Sequence, residues 1–299
     1  MPDAKRLLDP AVLNKITRLD LKARLMVEGF VSGMHKSPYH GFSVEFAEHR
    51  QYTPGDDLRH LDWKIFGRTD RLYIKEYELE TNLRSHILLD TSESMDYGSE
   101  GRQKLETAAF IAASLGYLIV RQQDAVGLVT FDKSIQTFVP TGSHPGHLRQ
   151  ILTVLGMAKP QRTTDLAQVL HVMAERIPRR GLIVLVSDLF DDAQKILKGL
   201  QHLRHTKHDV IVFHVLDADE TAFPFDRMTL FEGMEEFPKV LCDPKAVRAA
   251  YLEELESFCA KIRKGCVEQK IDYCRVTTDQ KLDVALSAYL AERLKTRTY

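Results

Sequence analysis

The 299-residue chain carries 41 Lys+Arg against 42 Asp+Glu and is 44% hydrophobic, enough to bury a core and too nearly neutral to recruit nucleic acid or an anionic membrane by net charge. The first 82 residues hold 13 Lys/Arg and 13 Asp/Glu, which excludes a basic N-terminal arm. No apolar run approaches the roughly 18 residues of a membrane span, and the charged opening MPDAKRLLDPAVLNKITRL lacks the apolar stretch of a signal peptide, so a soluble, cytoplasmic protein is expected.

In chain order, residues 1–82 read as an accessory region. A helical opening (Leu13, Ile16, Leu19, Leu21, Leu25) leads into a stretch with turn signals at Ser37-Pro38, Pro54-Gly55-Asp56 and Gly67, and RLYIKEYELE at 71–80 reads as an exposed strand. Trp63 and its basic neighbours mix types found in single-strand nucleic-acid binders, but Asp56, Asp57, Asp62 and Asp70 would repel phosphate. Internal ion pairs and an aromatic anchor are expected there instead.

Residues 83–299 alternate short apolar runs with helical periods. The runs are His86 to Asp90, AVGLVTF (125–131), GLIVLVS (181–187), DVIVFHVLD (209–217) and IDYCRVTT (271–278). Between them stand Leu105, Ala108, Ala112, Leu115 and Ile119, and later Val247, Tyr251, Leu255, Phe258 and Ile262, a helix opened by Asp243-Pro244 and closed by Gly265. Wholly apolar strands each followed by a helix predict an α/β fold with a doubly wound, mostly parallel sheet. SIQTFVP (134–140) follows its predecessor after only Asp132-Lys133, which predicts an antiparallel edge strand, and 218–242 reads as extended structure forming a hairpin. His202, His205 and His208 fall at a helix end, where a solvated, structural role is expected rather than metal binding. Cys242, Cys259, Cys266 and Cys274, spaced 17, 7 and 8 apart, match no metal or redox pattern and read as free thiols, buried or half-buried.

The chemistry concentrates where strands end. Asp90-Thr91-Ser92-Glu93-Ser94 follows the first strand of this region, Ser187-Asp188 ends another, and Thr163-Thr164-Asp165 opens the helix carrying Leu166, Val169, Leu170 and Met173. Ligands in open parallel sheets sit outside the carboxyl ends of the strands. Carboxylates and hydroxyls without His or Cys suit hard cations, Mg²⁺ first, Mn²⁺ or Ca²⁺ otherwise, rather than zinc.

Asp-x-Ser-x-Ser at Asp90, Ser92 and Ser94, with a later Thr and Asp at strand ends, resembles the metal-ion-dependent adhesion site (MIDAS) of von Willebrand factor A domains. The resemblance implies a divalent cation held by Asp90, Ser92, Ser94, Thr164 and Asp188, with the two Asp acting mostly through water and one position open to a partner's carboxylate. Thr164 is preferred to Thr163 because Thr164-Asp165-Leu166 stands where the family has Thr before Asn and an apolar residue. SVEFAEHRQYTPGDDLRHLDWKIFGRTDRLYIKEYELE, then LLDTSESM, KLETAAFIAASL, VGLVTF and LIVLVSDLFD, is similar to the bacterial family called domain of unknown function 58, which joins such an N-terminal signature to a von Willebrand A-like domain. That likeness implies an adaptor or co-chaperone working with a MoxR-type AAA+ ATPase.

The competing reading is a metal-dependent hydrolase doing phosphoryl chemistry at the same acidic site. Against it, Ser92 stands where an Asp-x-Asp phosphatase has its general acid, and no GxxxxGK[ST], GxGxxG or GxSxG segment appears. A non-enzymatic interaction module is expected, with no nucleic acid and no membrane insertion among its partners. Asp90-Thr91-Ser92 could alternatively serve only to cap a helix, and Asp188 to cap the helix near Asp191.

Overall fold

The computed structural model describes residues 43–52, 62–80, 83–98, 103–161, 163–234 and 239–280. The chain divides into two units, the smaller within residues 34–83 and the larger taking in residues from Arg84 onward. The opening helix expected around Leu13 to Leu25 and the turns at Ser37-Pro38 and Pro54-Gly55-Asp56 lie outside the described residues.

In the smaller unit, β1 (Ser43–Gln51) pairs antiparallel with β2 (Tyr73–Glu80), and the register slips between Phe46 and Glu48, where a bulge inserts one residue. Between them runs a short helix, α1 (Trp63–Thr69), which includes Gly67, expected to mark a turn. Asp62 starts it, its Oδ1 accepting from the N–H groups of Lys64 and Ile65 at 2.9 and 3.2 Å. Trp63 is 66% exposed, so it is not the buried anchor that its sequence neighbourhood suggested.

The larger unit is built on a six-stranded sheet. In chain order its strands are β3 (Arg84–Asp90), β4 (Ala125–Phe131), β5 (Ile135–Gly142), β6 (Leu182–Ser187), β7 (Asp209–Leu216) and β10 (Asp272–Thr277), and they lie across the sheet as β10-β7-β6-β3-β4-β5. Every pairing is parallel except β4 with β5, the antiparallel edge expected from the two-residue connection. This is the doubly wound, mostly parallel α/β arrangement that the alternation predicts. Successive side chains of a strand point to opposite faces. Accordingly Ile87 and Leu89 pack under α2 (Lys104–Arg121) and α3 (Pro145–Met157), whereas Leu88 joins the opposite core with α4 (Leu166–Arg176), α5 (Ala193–His205) and α7 (Pro244–Glu268).

Three local readings need correction. Residues 218–222 form a helical turn, α6 (Ala218–Ala222), before the expected hairpin of β8 (Thr229–Phe231) and β9 (Val240–Cys242). A capping box explains it: Asp217 accepts from the Asp219 N–H at 2.9 Å, and Glu220 Oε2 accepts from the Asp217 N–H at 2.7 Å. Helix α7 begins at Asp243-Pro244 as expected but runs through Gly265 to Glu268. Gly265 packs against α5, where an added Cβ would stand 2.5 Å from Leu197 Cδ2 and that side chain would have to shift. Finally, His208 is fully buried rather than solvated, its Nδ1 accepting from the Gly181 N–H at 3.2 Å and its Nε2–H donating to Ile177 O at 3.1 Å. The four cysteines are free, Cys259 and Cys266 buried, Cys242 and Cys274 half-buried. Among the described residues, no helix is long and apolar enough to cross a membrane.

Candidate functional site

The two central strands, β3 and β6, run side by side in parallel, so their carboxyl ends carry Asp90 and Ser187-Asp188 to one rim. Asp90 is wholly buried. Its Oδ2 accepts from the Ser187 hydroxyl at 2.6 Å and its Oδ1 from the Ser92 N–H at 2.9 Å. Past the strand the chain makes a 3-10 turn, Glu93–Asp96, and the Ser92 and Ser94 hydroxyl oxygens come within 3.0 Å of each other. Ser92 starts this turn without any side-chain cap bond, so capping does not explain the hydroxyls. Nor does Asp188 cap α5: Asp192 does, accepting from the N–H groups of Gln194 and Lys195, while Asp188 Oδ1 accepts from the Phe190 N–H at 3.3 Å, ahead of the helix.

Thr163 and Thr164 lie in the segment before Asp165, whose carboxylate accepts from the Gln168 N–H at 3.1 Å to start α4. That segment is held beside the β3 end, since the Gln161 N–H donates to Thr91 O at 2.9 Å. Asp90, Ser92, Ser94 and Asp188 thus meet at the rim, and Thr163-Thr164 arrive on a tethered neighbouring segment.

Ser187, expected at this rim with Asp188, belongs to the cluster, and so do Lys104 and Glu220, which no sequence motif marks. The Lys104 ammonium, 3% exposed, donates to Asp188 Oδ2 at 2.7 Å and to Glu220 Oε1 at 2.9 Å. Burial alone would lower its pKa, but Asp188 and Glu220 outweigh that and hold it above the ordinary lysine value. A sequence signal existed: a lysine opening an amphipathic helix faces the positive end of the helix dipole and needs carboxylates nearby.

The two aspartates are driven apart. Burial and then repulsion from Asp188 push the Asp90 carboxyl up to about 7, against the bonds from Ser187 and Ser92. Burial would also raise Asp188, but Lys104 and the Ser94 hydroxyl hold it below the usual carboxylate range. A buried carboxyl forced upward beside a second carboxylate is a place where added positive charge is favourable. Among the described residues no three His, Cys, Asp or Glu side chains converge as metal ligands. A cation at this rim would therefore rest on hydroxyls as much as on carboxylates, a donor set that fits a hard divalent ion. Asp188 differs from Asp90 in that its Oδ2 already accepts from the Lys104 ammonium, at 2.7 Å.

Fold and rim together define a doubly wound α/β domain with a cluster of carboxylates and hydroxyls, joined by one buried lysine, at the ends of its two central strands. The chain belongs to the family described as protein of unknown function DUF58, whose model matches residues 48–257. It is similar to protein Rv1480 of Mycobacterium tuberculosis, 26% identical over 222 residues that cover 72% of this chain and 68% of that one. It is also similar to YeaD of Bacillus subtilis, 28% identical over 131 residues, 44% of this chain and 30% of that protein. Among solved structures, BatB of Bacteroides thetaiotaomicron is 18% identical with a TM-score of 0.47, covering 71% of this chain and 99% of that one. The VWA domain of SpRpn10 is 9% identical with a TM-score of 0.39, covering 71% of this chain and 95% of that one.

Proposed function

We propose that this chain is a metal-dependent protein-interaction module of the bacterial cytoplasm, an adaptor or co-chaperone for a MoxR-type AAA+ ATPase. Its rim binds a divalent cation, Mg²⁺ in the first instance, through Asp90, Ser92, Ser94, Thr164 and Asp188, and a Glu or Asp of the ATPase or of a client protein completes the site. The observation that carries this reading is the meeting of Asp90, the Ser92 and Ser94 hydroxyls and Asp188 in a buried cluster at adjacent strand ends. The cation would supply a Lewis-acidic centre that accepts an anionic oxygen. The protein's part is to orient the ligands. Ser187 and the Ser92 N–H fix the Asp90 carboxylate, and Lys104 keeps one oxygen of Asp188 turned away, which leaves the cation only partly neutralised by the chain itself. The Ser187 hydroxyl that donates to Asp90 at 2.6 Å is fully buried together with that carboxylate, which supports a binding role over hydrolysis.

Thermal melts with millimolar Mg²⁺ or Mn²⁺ and with EDTA provide one test. At a hundredfold excess over Kd, binding stabilises the folded state by about 2.7 kcal/mol. Ser92→Ala is expected to fold and to lose most of that gain; melts unchanged by metal or EDTA in both proteins would remove the metal. Pull-down of the ATPase by wild type and by Asp90→Ala with Ser92→Ala, each in Mg²⁺ and EDTA, tests the bridge. Equal capture in all four conditions defeats it.

A further inference from the structure

The loop after β6 leaves the rim through an unusual residue. Leu189 has φ 55, a left-handed conformation that branched side chains rarely adopt. Two bonds hold it there, the Leu189 N–H to Ser187 Oγ at 2.9 Å and the Phe190 N–H to Asp188 Oδ1 at 3.3 Å. The turn buries Leu189 completely and leaves the next residue, Phe190, 51% exposed. The same serine and aspartate that shape the rim therefore present an aromatic ring beside it.

Phe190 borders a cleft of about 640 Å³, inside the roughly 300–1,000 Å³ range of ligand sites. Its other wall is α7, through Tyr251, Leu255 and Phe258, and it reaches Thr163 and Asp188 at the rim. The polar groups of its floor are already matched: Lys104 lies between Asp188 and Glu220, and His214 donates from Nε2 to Asp188 O at 2.9 Å while its Nδ1 accepts from the Tyr273 hydroxyl at 2.7 Å. The floor therefore favours an apolar occupant. The lip is acidic, with Asp191, Asp192 and Glu254, and Lys195 and Lys261 act on Asp192 only from outside the lining.

We propose that this cleft seats a large apolar side chain of a partner polypeptide, flanked in the partner's sequence by lysine or arginine. The inference rests on the reading of the rim as a protein-docking face and specifies the partner segment beside it. The apolar side chain fills the space between Phe190 and α7, and the flanking cations meet Asp191 and Glu254. A second acidic group in the segment would be repelled at the lip but is accommodated at the cation, so cleft and rim together select an acidic residue held apart from an apolar-basic one.

The test uses the full ¹⁵N-labelled chain in EDTA, which removes the metal contact, and follows the amide signals of Phe190, Tyr251 and Leu255. The probes are the peptides acetyl-Arg-Leu-Phe-Arg-amide, acetyl-Arg-Gly-Gly-Arg-amide and acetyl-Glu-Leu-Phe-Glu-amide. The first is expected to give saturable shifts at these three positions, and Phe190→Ser or Glu254→Lys to weaken its binding about tenfold. Absence of saturable shifts, equal binding of either control peptide, or variants that bind as wild type would each overturn the proposal. Peptide binding in EDTA alongside metal-independent capture of the ATPase would keep the cleft and remove the metal bridge; the reverse pattern would keep the bridge and remove the cleft.

Discussion

Lys104 carries more of the site than its place in the sequence indicates. It is a buried ammonium at the start of α2, and only Asp188 and Glu220 make that position tenable. Removing one partner of a buried ion pair typically costs about 3–5 kcal/mol, because the remaining charge is left without compensation. Lys104→Met is expected to lose stability on that scale in urea unfolding, and Lys104→Met with Glu220→Gln to recover part of it. Mg²⁺ should raise the melting temperature of Lys104→Met by more than it raises that of wild type, since the cation replaces the lost charge. An equal rise in both proteins would show that Lys104 stands outside the charge balance of the rim. The contrast between residues explains what could be read in advance. Asp90, Ser92 and Ser94 fall within five residues, so their grouping is visible in the primary structure. Lys104 and Glu220 are 116 positions apart, and only the closed sheet brings them together.

At the scale of elements, helix contacts depend on small residues at crossing points. Gly199 on α5 faces α4 so closely that a Cβ would stand 2.9 Å from both Cβ and Cδ1 of Leu170. The Leu170 Cβ is fixed to its helix backbone and cannot swing aside. Gly199→Ala gains about 1 kcal/mol in helix propensity but must separate two packed helices, which typically costs about 1–3 kcal/mol. A net loss of stability is therefore expected, measured as a lower denaturation midpoint at an unchanged m-value; a rise would mean that α4 and α5 have room to part. The same consideration shows why element ends were less legible than element types. The period of Val247 to Ile262 predicts α7 correctly, but Gly265 as a stop signal cannot be told from Gly265 as a contact until Leu197 is placed opposite it. Likewise the apolar runs predict the five parallel strands of the main sheet and the two-residue connection Asp132-Lys133 predicts β5, whereas α6 depends on the Asp217–Glu220 capping box, a pattern four residues long inside a stretch without periodicity.

For the whole molecule, buried histidines set an acid limit on stability. Burial pushes His86 and His214 down to about 4, and His208 is lowered by the same cause. A histidine whose folded pKa lies below its unfolded value of about 6.5 leaves the unfolded chain binding more protons between those limits, so stability falls as pH falls from about 6.5 to 4. Asp90, raised toward 7, slopes the other way over much of that window: the folded state keeps a proton that the unfolded state has lost, and stability falls as pH rises. The comparison of His86→Gln with wild type isolates the first effect. The variant's stability is expected to decline less between pH 6.5 and 4, by about 2–3 kcal/mol at one pKa unit per 1.36 kcal/mol, in urea midpoints taken across the window. Parallel profiles would show that His86 titrates normally in the folded chain.

The separation of the rim's parts along the chain also has a kinetic consequence. Asp90 and Ser187 are 97 residues apart, and α2, β4, β5, α3 and α4 all lie between β3 and β6 in the chain. Long loops must close before these parallel strands pair, an entropic cost met late on the way to the native state. A ligand of the finished rim then has little to hold in the folding transition state. In stopped-flow chevrons Mg²⁺ should lower the unfolding limb and leave the refolding limb in place. If the refolding limb rose by the full equilibrium factor instead, the strand ends would already be assembled at the barrier. On the expected behaviour, the cation governs how long a folded molecule persists rather than how quickly one is made.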